Sequence, residues 1–135
     1  MIGNAAAALH GAPVTTLDID FMFRKTTANM KKLKAIARML QADILRPYYP
    51  VSELFRLTNE DQGLQLDFMA RLHGIRSFEG LRARATRMKF GNHELLIADL
   101  ADIIKSKRAT GRKRDLAVLE ILERTLEEEK RQEEK

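Results

Sequence analysis

The sequence predicts an α+β domain in which a small mixed β-sheet is flanked by helices. Two segments, "TLDIDFMF" at 16–23 and "LQLDFMA" at 64–70, alternate between two faces as β-strands do. Other segments carry apolar residues three or four positions apart, which is typical of amphipathic helices. With 135 residues, 44% of them hydrophobic, the chain can build one core. We therefore expect a single domain over 1–130, followed by a charged tail at 131–135.

The first part of the chain predicts a helix, a strand and a second helix. Gly3 begins a short alanine-rich helix that stops at Gly11. The alternating strand over 17–23 comes next. From Ala28 to about Ile44, apolar residues recur on one helical face, and we expect a crossover helix that packs on the sheet.

Two hairpins follow the crossover helix. The first consists of a strand near 56–59, the turn "NEDQG" and the strand at 64–70. The second consists of "TRMKF", the turn "GN" and "HELLIA", with a type I′ or related turn. A short helix at 78–85 is expected between the two hairpins.

The remaining residues predict two helices. Asp99 is the expected N-cap of a helix over 100–109, which Gly111 interrupts. The last helix begins near Arg112. Four leucines recur at helical spacing on its inward face: Leu116, Leu119, Leu122 and Leu126. We expect the terminal "EEEKRQEEK" to be a frayed, solvated end.

The net charge of +5 is unevenly distributed along the chain. Residues 1–70 carry eight bases and seven acids, residues 71–114 twelve bases and four acids, and residues 115–135 four bases and eight acids. The basic middle block indicates an anionic partner, either the phosphates of a nucleotide or those of a nucleic acid. A plain solvated surface is the alternative.

Several classes of protein are disfavoured by composition. No stretch approaches the roughly 20 apolar residues that a membrane-spanning helix needs. The N-terminal alanine run lacks the basic flank and long apolar centre of a signal peptide. The chain has no cysteine, which excludes disulfides and thiolate metal sites. We expect a cytoplasmic protein without membrane contact.

Acidic residues stand in the middle of both apolar strands. Asp18 and Asp20 share one strand face, about 6.6 Å apart at their Cα atoms, and Asp67 is the third acid. Such carboxylates can converge on Mg²⁺ or Mn²⁺, which would bridge to substrate phosphates. Alternatively, the acids face solvent or pair with Lys and Arg from a covering helix, because buried carboxylates are costly without a positive partner.

The order of these residues resembles that of the nucleotidyltransferase fold superfamily, also called polymerase-beta-like. Its pattern is Gly with Gly or Ser at a helix start, an acid-x-acid strand, and a later strand with a third acid. Here Gly3-Asn4, Asp18-Ile19-Asp20 and Asp67 take those positions. "LHGAPVTTLDIDFMF", "LQLDFMARLHG" and "LADIIKSKRATGRKRDLAVLEIL" look like the small bacterial nucleotidyltransferases related to the abortive-infection toxins of toxin–antitoxin systems.

The resemblance implies a role for each matching residue in the first half of the chain. Asp18 and Asp20 would hold Mg²⁺, with Asp67 as the third acid and a further metal contact. Gly3 and Asn4 would lie against the triphosphate of the substrate at a helix N-terminus.

In the second half of the chain, the resemblance implies that Lys107 reaches the phosphates. Arg112 and Asp115 would support this lysine and the nucleotide. The basic block alone does not single out Lys107 from its neighbours. Thr16 is a candidate hydrogen-bond donor to a phosphate or sugar, with a bond inside its own turn as the alternative.

The implied reaction is the magnesium-dependent transfer of a nucleoside monophosphate from an NTP to a hydroxyl group of RNA, protein or a small molecule. A toxin–antitoxin system, with an antitoxin-like partner, is the implied context. The alternative is a nucleotidyltransferase-like module that has lost its chemistry and binds RNA or a partner protein through 82–114. It is motivated by Asn4, which stands where Gly or Ser is usual, and by Met1 and Ile2 alone preceding Gly3 where the superfamily has a strand.

Histidines and tyrosines add little to this interpretation. His10, His73 and His93 have no metal-ligand spacing, and we expect them at the surface or in turns. Tyr48 and Tyr49 either pack against the crossover helix or stack on a base.

Overall fold

The computed structural model describes residues 1–48 and 53–134, in which helices and short strands alternate. The helices are α1 (Gly3–Leu9), α2 (Thr27–Met39), α3 (Phe78–Arg84), α4 (Leu100–Thr110) and α5 (Lys113–Glu133). The strands are β1 (Ile19–Met22), β2 (Asp43–Leu45), β3 (Leu54–Asn59), β4 (Leu64–Met69), β5 (Thr86–Phe90) and β6 (His93–Ile97). A 3₁₀ turn at Glu60–Gln62 joins β3 to β4. Both predicted hairpins and the predicted helix between them are present.

Four of these strands form a mixed sheet in the order β1-β4-β3-β2. β1 runs parallel to β4, whereas β4 pairs antiparallel with β3 and β3 with β2. Strands β5 and β6 form a separate antiparallel hairpin. Helix α2 is the crossover connection between β1 at one edge of the sheet and β2 at the other, and these two strands run in the same direction. The predicted α+β class, with a small mixed sheet and flanking helices, is confirmed.

One face of the sheet is aromatic and is covered by α2. Phe21 on β1 and Phe55 on β3 both pair in register with Phe68 on β4. The rings of Phe21 and Phe68 stack with centroids 5.1 Å apart. Leu33 and Ala37 of α2 are buried against this face. The burial of apolar surface here holds α2 and the sheet together.

The opposite face of the sheet meets α1, α4, α5 and the β5–β6 hairpin. The buried cluster on this side includes Ile2, Ala6, Ala7, Leu81, Ile97, Leu100, Ile103, Ile104 and Leu122. Side chains alternate along a strand, so the sequence neighbours of the phenylalanines point to this side. Three of these neighbours are charged, namely Asp20, Arg56 and Asp67. The sheet therefore separates an apolar layer from a layer that holds charges.

The crossover helix is shorter than predicted. It ends at Met39, and Ile44, expected in its last turn, lies in β2. The side-chain amide of Asn59 donates to the carbonyl oxygens of Leu40 and Gln41, at 3.1 Å each. These bonds satisfy carbonyls that a continuing helix would have used. The helix itself ends locally, because Gln41 adopts a left-handed φ of 51° and the amide of Ala42 donates to the carbonyl oxygen of Ala37 at 2.8 Å.

Three of the four leucines predicted to face inward from α5 do so. Leu122 is buried, and Leu119 and Leu126 pack against the same cluster. Leu116 is 49% exposed, so its predicted burial is wrong. Asp115 is the buried residue of the first turn, because its carboxylate is paired inside the protein.

The terminal charged run is helical, contrary to the expected frayed end. α5 continues to Glu133, so the expected tail at 131–135 begins inside the helix. Arg131 and Glu128 form an ion pair of 3.7 Å on its exposed side. Side-chain pairs three or four residues apart stabilise a helix in this way, and the side chains themselves remain mostly in water.

His10 lies in the turn after α1, and its largely buried ring joins this turn to α5. Its ring is 6% exposed. Nδ1 lies 2.7 Å from Oε1 of Glu129, and Nε2 donates to the carbonyl oxygen of Ala98 at 2.8 Å. The expected turn position of His10 is confirmed, and long-range partners satisfy both of its ring nitrogens. His93 is exposed at the second hairpin, as expected.

The remaining expectations concern loops and the membrane. Tyr48 is exposed, and Tyr49 lies outside the described residues. No helix within 1–48 and 53–134 is long and apolar enough to cross a membrane.

We expect His10→Ala to lower the free energy of unfolding by about 2 kcal/mol, because it leaves a buried carbonyl and a carboxylate without their partner. Urea unfolding followed by circular dichroism measures this loss. His93→Ala, which removes an exposed imidazole, is the matched control and should change stability little. Equal effects of the two substitutions would contradict a structural role for His10.

Candidate functional site

A cleft of about 680 Å³ opens between the charged face of the sheet and helices α1, α4 and α5. All nine residues that the sequence nominated for a site line this cleft. They are Gly3, Asn4, Thr16, Asp18, Asp20, Asp67, Lys107, Arg112 and Asp115. Residues more than a hundred positions apart in sequence thus meet in one concave surface, which is the usual setting of a binding or catalytic site.

Strand register brings two of the carboxylates together. Asp20 on β1 and Asp67 on β4 are direct partners in the parallel pairing. Arg56 is the partner of Asp67 on the other side, in β3. The three side chains therefore form one row across neighbouring strands and point to the same face of the sheet. Their order along the row is cation, anion, anion.

Asp20 is the carboxylate whose charge is least compensated. Its Oδ1 is buried and has no hydrogen-bond partner within the described part of the chain. Burial raises the pKa of Asp20 to about 6, and the charges of Asp67 and Asp18 add to this effect. Lys107 and Arg56 oppose it. A positive charge placed at Oδ1 would relieve both the unpaired oxygen and the repulsion from its neighbours.

Gly3 begins α1 directly against Asp20. The amide of Ile2 donates to the backbone carbonyl of Asp20 at 2.8 Å. Gly3 has a φ of 70°, and a Cβ atom there would lie 2.8 Å from Oδ2 of Asp20. A side chain at this position would collide with the carboxylate, so the close approach requires glycine. Oδ1 of Asn4 is also buried and unpartnered among the described residues.

Asp67 is neutralised inside the protein. It is only 5% exposed. Arg56 donates from Nε to Oδ1 at 2.9 Å and from Nη2 to Oδ2 at 3.1 Å, and Gln65 lies 3.4 Å from Oδ2. The expected cation for a buried acid thus comes from an adjacent strand and not from a covering helix.

Asp18 lies just before β1 and is held by its own turn. The hydroxyl of Thr16 donates to the carbonyl oxygen of Asp18 at 2.7 Å and accepts from its amide at 3.2 Å. The turn bond predicted as an alternative for Thr16 is therefore present. Asp18 borders the cleft beside Asp20, and its charge is felt by that residue.

Lys107 stands apart from the other bases of its segment. Its Nζ lies 3.6 Å from Oδ1 of Asp115, and Arg112 donates from Nε to Oδ2 of the same carboxylate at 2.7 Å. Burial lowers the pKa of Lys107, while Asp115 opposes that shift. In contrast, Lys105 is exposed and Arg108 pairs with Glu123 outside the cleft. The structure thus distinguishes Lys107 from Lys105 and Arg108, which the sequence alone did not.

Sequence reasoning missed other cleft residues, chiefly Arg56 and Asp102. Asp102 is buried on α4, and its Oδ2 accepts from Nε of Arg84 at 2.7 Å. Both residues carried a signal, since each is a charge within an apolar pattern: Arg56 in "LFRLT" and Asp102 in "LADII". His73 also lines the cleft.

The acids of the cleft differ in how well they suit a divalent ion. Within residues 1–48 and 53–134, no three His, Cys, Asp or Glu side chains are grouped so as to hold a metal ion. Asp67 does not join such a group because Arg56 binds both its oxygens. The unpaired oxygen of Asp20, next to Asp18, does suit a cation, and carboxylates are ligands that Mg²⁺ and Mn²⁺ prefer.

The chain matches no model of a known protein family and no curated protein. The function of the protein is therefore inferred from the chemistry of the cleft.

We expect the ionisation of Asp20 to lower the stability of the protein as the pH rises from about 4 to about 6 in the presence of EDTA. Asp20 has a pKa of about 6 in the folded chain against an ordinary value of 3.8. Between these values only the unfolded chain releases the proton, so unfolding becomes easier by up to about 3 kcal/mol. Asp20→Asn cannot ionise and should lose this fall.

Urea unfolding at half-unit pH steps measures the effect. Asp43→Asn is the matched control, because Asp43 is exposed on the edge strand β2. The stability advantage of Asp20→Asn over the unmodified protein should grow with pH, whereas that of Asp43→Asn should not. A constant difference for Asp20→Asn would contradict the raised pKa.

Proposed function

We propose that this protein is a metal-dependent nucleotidyltransferase with the polymerase-beta-like fold. It would transfer a nucleoside monophosphate from an NTP to an acceptor hydroxyl, with pyrophosphate as the leaving group. The observation that carries the proposal is the buried, unpaired oxygen of Asp20 in a cleft that Lys107 and Arg112 also line. Carboxylates and cations in one cleft suit a metal-bound polyphosphate, which carries both signs of charge.

Asp18 and Asp20 are the residues that would hold Mg²⁺ or Mn²⁺. A bound ion would neutralise phosphate charge and orient the reacting groups. The raised pKa of Asp20 supports this assignment, since a carboxylate with too little positive charge around it gains most from a cation. Gly3 contributes by lacking a side chain, because any Cβ would push the Asp20 carboxylate from its position.

Lys107 is the residue that would bind the phosphates of the NTP. Burial lowers its pKa, so a polyphosphate would favour the charged ammonium and be bound by it. Asp115 and Arg112 hold the lysine in position. The unpartnered oxygen of Asn4 would accept a hydrogen bond from a ribose hydroxyl, and Thr16 borders the same part of the cleft. Most of the rate would come from positioning and charge neutralisation.

The acceptor is an RNA, a protein or a small hydroxyl compound, and an antitoxin-like protein is the proposed partner. The resemblance to small bacterial toxin nucleotidyltransferases supports this context. Fold resemblance does not choose among the acceptors, and so the assay has to include all three classes.

We expect the pure protein to label one acceptor class when it is incubated with each α-labelled NTP, Mg²⁺ or Mn²⁺, and a cell extract. Asp20→Asn should abolish labelling because it removes the charged ligand, and it should leave the fold intact because amide and carboxyl are alike in size. Asp43→Asn, on the exposed edge strand, is the control and should label normally. Full labelling by Asp20→Asn would sink the assignment.

Lys107 provides a second test on the opposite side of the cleft. We expect Lys107→Met to slow transfer by about 100-fold, because a buried cation aimed at developing phosphate charge is lost. Lys105→Met removes an exposed lysine from the same helix and should react at close to the original rate. Initial rates at saturating NTP measure both. Equal rates for the two variants would remove Lys107 from the site.

A binding module without chemistry is the second candidate. One observation favours it: Arg56 occupies both oxygens of Asp67, the third acid that the superfamily uses. Such a module would bind RNA without metal, and its affinity would fall steeply with salt. An enzyme would instead bind an NTP only with a divalent ion and lose that binding in Asp18→Asn. Absence of labelling by a folded protein, together with metal-independent RNA binding, would establish the module.

A further inference from the structure

Arg56 and Asp67 form an ion pair in the cleft that is closed by two hydrogen bonds. The guanidinium fork meets the carboxylate edge to edge, with contacts of 2.9 and 3.1 Å. Direct cross-strand pairing of β3 with β4 fixes this alignment. The side chains of Arg56 and Asp67 are 27% and 7% exposed, so the pair is shielded from water. Bidentate pairs of this kind are strong and geometrically specific.

This pairing leaves little room for a metal ion on Asp67. The guanidinium occupies one lone pair of each carboxylate oxygen in the carboxylate plane, and Gln65 approaches Oδ2 as well. An ion bound to Asp67 would stand next to the fixed charge of Arg56 in a half-buried site. Repulsion between like charges at such short range is costly when water is largely excluded.

The balance of charge at the three acids also argues against a second ion. Asp18, Asp20 and Asp67 together carry three negative charges, of which Arg56 offsets one. A single divalent ion offsets the other two. Asp20 has the unpaired oxygen that could receive that ion, whereas Asp67 already has its cation. A second ion at the acids would leave an excess of positive charge before any substrate had bound.

On the basis of the proposed function, we propose that Arg56 takes the place of a second divalent ion. Asp18 and Asp20 hold one ion, and Asp67 remains on the guanidinium. Arg56 is then a positioning residue that acts through Asp67, and its charge cannot be removed by a chelator. The three acids are then neutralised by one ion and one arginine.

The test counts Mn²⁺ ions bound per chain, by electron paramagnetic resonance of the free ion. We expect one ion for the unmodified protein and two for Arg56→Met, in which Asp67 becomes available as a ligand. The double variant Arg56→Met/Asp67→Asn should bind one again. Arg38→Met is the matched control, because Arg38 is exposed on α2, across the sheet from the cleft.

The stability of the variants is a second readout. Removing Arg56 leaves the buried carboxylate of Asp67 without its cation, which should lower the melting temperature. Mn²⁺ should therefore raise the melting temperature of Arg56→Met more than that of the unmodified protein. If Arg56→Met does not fold even with Mn²⁺, the count for Arg56→Gln decides, because glutamine lacks the charge but can still donate a hydrogen bond to Asp67. Two ions would support the proposal and one would overturn it.

The outcomes separate this inference from the proposed function. Two ions in the unmodified protein, or one in both it and Arg56→Met, would overturn the role of Arg56 and leave the metal site at Asp18 and Asp20. No ion in the unmodified protein and one in Arg56→Met would support Arg56 as counter-ion but remove that site. No ion in either protein would overturn both.

Discussion

The ion pair between Arg56 and Asp67 is the interaction that allows this sheet to carry charges on an inner face. A buried carboxylate in the middle of a strand would destabilise the sheet unless a cation met it. β3 supplies that cation in direct register with β4. The aromatic face on the other side of the sheet provides the packing against α2, and so the charged face is free to line a cleft.

The other wall of the cleft depends on the sharp connection between α4 and α5. Gly111 has a φ of 67° and ends α4 in the left-handed conformation, which allows α5 to begin two residues later. Lys107 and Asp115 then face each other across the turn, with Arg112 on the second oxygen of Asp115. Each wall thus holds a carboxylate that an arginine binds: Asp67 with Arg56 on the sheet, and Asp115 with Arg112 on α5. Each wall also holds a partly buried charge whose pKa is shifted by burial, Asp20 on the sheet and Lys107 on α4.

Local patterns in the sequence predicted most elements of this fold, but not β2, whose Ile44 they assigned to the crossover helix. Alternation and turn residues predicted both hairpins, and the nine nominated residues do share one cleft. Asn59 of β3 bonds the carbonyl oxygens that follow α2, and Glu129 binds His10 from the far end of the chain. Neither contact leaves a periodic signal. Arg56 was visible as a charge in an apolar strand, but the register that aims it at Asp67 was not.

Asp20 and Asp67 show how topology assigns different chemistry to similar residues. Both are acids in the middle of an alternating apolar strand, and their sequence patterns are nearly equivalent. β4 lies inside the sheet, so Asp67 has a cross-strand neighbour on each side, and one of them is Arg56. β1 is an edge strand, and among the described residues its outer side pairs only through the bridge between Asp20 and Ile2. The acid at the edge therefore keeps an unpaired oxygen toward the cleft, which is the property that a metal ligand needs.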